Sequence, residues 1–115
     1  MRYALLVYAN EAVYSSMTPE EYGAMFQGHA TFANEAQQSA ILEGGAPLQP
    51  TSTATTVRIR DGRTLITDGP FAETKEQLAG FYILNCRDLD EALALAARIP
   101  DTAYGSVEIR PVMEV

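Results

Sequence analysis

With 115 residues, 47% of them hydrophobic and 20% charged, the chain has the length of one domain with a real core and is too short for two. Fifteen acidic residues against eight basic ones give a formal net charge of −7. That balance repels phosphate backbones and anionic lipid, so the expected partners include no nucleic acid and no membrane. Every apolar run falls short of the roughly 20 residues that cross a bilayer. The opening MRYALLVYANE is too short and too weakly basic to read as a signal peptide, so the expected location is cytoplasmic.

The segment RYALLVYA (2–9) is apolar at almost every position and reads as a strand covered on both faces. A loop containing Val13 and Tyr14 follows. In MTPEE (17–21), Thr18 is the N-cap, Pro19 the first helical position and Glu21 the third, a capping box that opens a helix. The helix is expected to run to about Leu42 and to stop at Gly44 and Gly45. Tyr22, Met25, Phe26, His29, Phe32, Ala33, Ala36 and Ala40 recur at spacings of three and four and form one stripe, with His29 at its middle.

APLQPTST (46–53) carries two prolines and predicts an irregular connection with at most a short strand. TTVRI and TLIT, separated by Arg-Asp-Gly, predict a β-hairpin. AGFYILNC (79–86) predicts a central strand whose Cys86, the single cysteine, is a small buried hydrophobe with no disulfide partner. Asp88 and Glu91 form a second capping box, and Leu89, Ala92, Leu93, Ala96 and Ala97 form the buried stripe of a second helix that ends by Pro100. VEIRPVMEV (107–115) alternates as a half-buried last strand, in which Pro111 argues for an edge position or a bulge.

The order is that of an α+β, ferredoxin-like βαββαβ subunit with an added β-hairpin. Two helices roof only one face of a sheet that is apolar on both. A homodimer packed sheet to sheet about a two-fold axis is the simplest cover for the other face.

Between the hairpin and the central strand lies TDGPFAETKEQ (67–77). Turn chemistry accounts for Asp68, Gly69 and Pro70. The continuation through Phe71, Glu73, Lys75 and Glu76 is longer than a hairpin requires, and ordered loops of this kind carry binding groups. It is expected to form a lip over a cavity between sheet and helix. No zinc-ligand spacing, dinucleotide or P-loop fingerprint or nucleophile elbow is present, so no metal and no cofactor are expected.

The string TDGPFAETKEQLAGFYIL, together with GGAPLQPTSTATTVRIRDG, the opening RYALLVYA and the closing YGSVEIRPVMEV, resembles the YCII-related family, in the branch named after its DGPF motif. The resemblance implies a ferredoxin-like subunit that pairs into a dimeric α/β barrel. It also implies a His-Asp active site, carried here onto His29, the only histidine, and Asp68 of the motif. Some relatives eliminate or isomerise ring-derived small molecules, and members are often encoded beside sigma factors of the extracytoplasmic-function type.

An imidazole beside a carboxylate suits proton transfer near neutral pH, because the carboxylate fixes the tautomer and stabilises the protonated ring. The candidate catalytic residues are therefore His29 and Asp68. The candidate substrate-binding residues are Phe71, Glu73, Lys75, Phe26 and Tyr82, serving an unknown small molecule. Two readings follow: a cofactor-independent lyase or isomerase, and a non-catalytic ligand-sensing module linked to a sigma factor. For His29 the plainer alternative is a half-buried side chain satisfied by one hydrogen bond.

Overall fold

A computed structural model describes residues 1–115. The strands are β1 (Arg2–Ala9), β2 (Leu42–Pro47), β3 (Thr55–Arg60), β4 (Arg63–Asp68), β5 (Gln77–Asn85) and β6 (Ser106–Pro111). The helices are α1 (Glu11–Ser15), α2 (Pro19–Gln38) and α3 (Leu89–Ala96), and 3-10 turns occupy Thr51–Thr53 and Pro100–Ala103. The antiparallel sheet β2-β5-β1-β6 has the strand order of a ferredoxin-like fold, with β5 and β1 inside and β6 at an edge.

Alternation along β1 decides which face is roofed. Tyr3, Leu5, Val7 and Ala9 are buried, and the first three share a core with Phe32 and Ala36 of α2, Leu84 of β5, Ala92 and Ala96 of α3, and Ile99. On the opposite face, Ala4, Leu6 and Tyr8 lie across from Ile83, Phe81 and Leu78, and all six are only half-buried. Both long helices pack on the first face and leave the second without one.

The first capping box forms as the sequence requires: Thr18 Oγ1 accepts from the Glu21 amide at 3.1 Å while Glu21 accepts from the Thr18 amide at 2.9 Å. The second forms by half, since Asp88 accepts from the Glu91 amide at 2.9 Å but the Glu91 side chain accepts from the Arg87 amide instead of the Asp88 amide. The helix end differs from expectation. α2 stops at Gln38, the left-handed residue is Ala40 (φ 59°), and the Ile41 amide returns to the Ala36 carbonyl at 2.9 Å. Gly44 and Gly45 therefore belong to β2. At Gly45 a Cβ would sit 2.5 Å from the Phe81 carbonyl oxygen, so close approach between strands, rather than helix termination, requires the glycine. Val13 and Tyr14, expected in a loop, lie in α1, which Asn10 caps.

β3 and β4 form a separate two-stranded sheet joined by Asp61 and Gly62, both at positive φ (53° and 74°), the geometry of a two-residue hairpin turn. This hairpin stands off the body. The radius of gyration is 16.0 Å, against about 13 Å for a compact chain near this length. Val57, Ile59 and Ile66 on the arm are each more than 60% exposed.

Candidate functional site

His29 occupies the middle of α2, as its stripe predicts, and both of its ring nitrogens are engaged. Nε2 lies 2.5 Å from Oδ1 of Asp101, and Nδ1 lies 2.6 Å from the hydroxyl of Tyr82 on β5. Tyr14 of α1 donates to the second oxygen of Asp101 at 2.6 Å. A carboxylate only accepts, so the hydrogen on Nε2 points to Asp101 and Nδ1 of the neutral ring accepts from Tyr82. The tautomer is assigned by its partners.

Local structure explains why Asp101 is held there. Ile99, 1% exposed, anchors the chain in the core, Pro100 opens the 3-10 turn, and the Asp101 carbonyl accepts from the Gly105 amide at 2.7 Å. Helix α2 approaches this turn at Gly28, where a Cβ would lie 2.7 Å from Cγ of Pro100. A glycine in a helix interior costs about 1 kcal/mol relative to alanine. Here it lets the residue before His29 touch the residue before Asp101.

Gly28→Ala should therefore trade that helical gain against overpacking of about 1–3 kcal/mol. The expected net result is a destabilised protein in which His29 and Asp101 are pushed apart. Urea unfolding checks the sign, and a more stable variant with unchanged histidine signals would contradict it.

The electrostatics match the geometry. Burial pushes the Asp101 carboxyl up, but hydrogen bonds from His29 and Tyr14 outweigh it and leave the group below its ordinary value. Burial and the Asp101 charge push Tyr82 up to about 12, so it is a neutral phenol at physiological pH. Tyr14 is raised by burial and by its hydrogen bond to Asp101. Tyr82 is braced from behind by Phe32, whose ring centroid lies 4.8 Å away.

These groups form the polar floor of a cavity of about 800 Å³ between α2 and the β2–β5 side of the sheet, within the usual size range of small-molecule sites. Its walls are apolar, with Tyr22, Met25 and Phe26 from the helix and Leu42 and Leu48 from the sheet side. Glu11 ties down the connection after β2, accepting from the Thr51 amide at 2.8 Å and from its hydroxyl at 3.1 Å.

Along its whole length, residues 1–115, the sequence matches the YCII-related domain. The chain belongs to the YCII-related family. It is also 40% identical to an uncharacterized protein of Rhizobium meliloti (strain 1021) over 114 residues, covering 97% of this chain and 92% of the relative.

Within this YCII-related subunit, three of the residues singled out in the sequence, His29, Phe26 and Tyr82, share the cavity. The pair of His29 with Asp68 is not formed. Asp68 ends β4 on the protruding arm, exposed and paired with Thr55, while Asp101 takes its place beside His29. Phe71 is 74% exposed, and Glu73 and Lys75 are exposed as well, all three outside the cavity of their own subunit.

The expected lip is therefore absent from the subunit, for a local reason. The Gly69 amide donates to the Ala54 carbonyl at 2.7 Å, Thr56 donates to the Gly69 carbonyl at 2.8 Å and Arg58 to the Phe71 carbonyl at 3.0 Å, so the loop folds onto its own arm. Asp101 and Tyr14 carry no sequence signal for this site beyond, for Asp101, a carboxylate that directly follows the helix-stopping Pro100.

Proposed function

We propose that the protein binds a small molecule in this cavity and moves a proton on it without a cofactor, in a reaction of lyase or isomerase type. The observation that carries the reading is the chain of hydrogen bonds from Tyr82 through His29 to Asp101 at the foot of an apolar cavity. When Tyr82 oxygen takes a proton from the ligand, its own hydrogen passes to Nδ1. The resulting imidazolium lies against Asp101, which stays ionised because its carboxyl is held below the ordinary range.

Deuterium incorporation into small molecules of a cell extract in D2O tests this. Wild-type protein should label a specific C–H position, and Tyr82→Phe should slow the labelling by about 10²-fold or more. Labelling unaffected by Tyr82→Phe and by His29→Gln would contradict the relay. One observation favours the second reading, a ligand-sensing module linked to a sigma factor: both ring nitrogens of His29 are already satisfied inside the protein. Saturable ligand binding with no exchange at any position would select it.

We read the chain into the DGPF branch on the string from Asp68 to Phe71, and we take the functional unit to be a homodimer. Support for the dimer comes from Leu6, Tyr8, Phe81 and Ile83, apolar neighbours on the sheet face that no helix roofs. Sedimentation at micromolar concentration should give twice the 12.5 kDa subunit mass. A species of subunit mass alone would contradict it.

A further inference from the structure

We propose that the cavity selects neutral, largely apolar ligands that carry a hydroxyl or similar hydrogen-bond donor, and that it rejects carboxylates and phosphates. This rests on the reading of the cavity as a small-molecule site. The chain has eight basic residues, and none of them lines the cavity. Arg58, Arg60 and Arg63 are on the arm and Lys75 is in the loop after it. The other four, Arg2, Arg87, Arg98 and Arg110, pair with Glu43 and Glu114, Glu91, Glu35 and Glu108 respectively.

The cavity's own acidic groups are Glu11 and Asp101. A protonated His29 offers no net positive charge, because Asp101 lies against it. An anion entering here would shed its hydration with no cation to replace it, in a chain of net charge −7.

Both carboxylates are already engaged within the protein, so the discrimination on charge falls on anions. Glu11 accepts two hydrogen bonds from Thr51, and Asp101 accepts from His29 and Tyr14. What remains is the Tyr82 oxygen, which has donated its hydrogen to His29 and keeps lone pairs for a ligand donor. A ring body between the aromatic helix face and Leu48, and one donor directed at Tyr82, match what the walls and floor supply.

Two probes of one shape and different charge test the proposal by calorimetry at pH 7.5: 2-naphthol and 2-naphthoate. Naphthol should bind, and naphthoate should bind at least about tenfold more weakly for want of a counter-charge. Two variants locate the site. Ala30→Trp, at an exposed helix position on the cavity wall, should abolish naphthol binding and leave the melting temperature near wild type. Leu48→Arg, at a wall position 46% exposed, should bring naphthoate up to at least the affinity of naphthol.

Naphthoate binding as well as naphthol in the wild type, sensitive to Ala30→Trp, would overturn the selectivity and leave the cavity as the site. Binding of neither probe, or naphthol binding indifferent to Ala30→Trp, would overturn both the selectivity and the underlying reading.

Discussion

Asp101→Ala should lower the unfolding free energy by about 2–3 kcal/mol, because it removes the acceptor of two hydrogen bonds and leaves the half-buried His29 and Tyr14 donors without it. For a domain of this size that corresponds to a drop in melting temperature on the order of 10 °C. Asp101 is 2% exposed, so water cannot easily replace the lost partner.

The same residue sets an acid limit. Its carboxyl is held below the ordinary value in the folded state, so the unfolded chain takes up this proton first as pH falls. The stabilisation is complete above the unfolded carboxylate value of about 4 and is lost as pH drops through the lower folded value. Thermal melts of wild type and Asp101→Asn across pH 3–7 should therefore converge on acidification. A constant gap between the two proteins over that range would contradict the assignment.

Phe32→Ala should be at least as damaging, at about 3–5 kcal/mol. Phe32 is 2% exposed and belongs to the core, joining α2 to the sheet. It is also the ring behind Tyr82. The variant should thus lose ligand affinity even at temperatures where it remains folded, because Tyr82 gains freedom away from Nδ1 of His29. Urea unfolding and naphthol binding on the same samples separate the two effects. A cost below about 1 kcal/mol would mean that the site refills by relaxation and that the ring is no brace.

Much of the fold was legible because its signals are local. The capping box at Thr18, the N-cap at Asp88, the Asp61-Gly62 turn and the two-sided apolar pattern of β1 are each written within a few adjacent residues. β2 was not legible, since Leu42 to Pro47 contains a glycine pair and a proline. Its strand character comes from pairing with β5, where Gly45 must pass close to the Phe81 carbonyl.

The site divides in the same way. His29 and Tyr82 stood out from helical spacing and from aromatic character in a central strand. The carboxylate beside His29 is not legible in the sequence because it lies 72 positions away, and what joins them is a packing contact between Gly28 and Pro100 that no spacing rule expresses. Asp68 attracted attention through a motif whose hydrogen bonds, once formed, stay on the arm.

Because His29 is the only histidine, its ring nitrogens can be observed directly by NMR of protein labelled with ¹⁵N-histidine. At neutral pH and above, the neutral ring should carry its hydrogen on Nε2, facing Asp101, with Nδ1 bare and accepting from Tyr82; Asp101→Asn should disturb that preference. A neutral ring protonated at Nδ1, or one averaging freely between the two forms in wild-type protein, would contradict the relay on which the functional account stands.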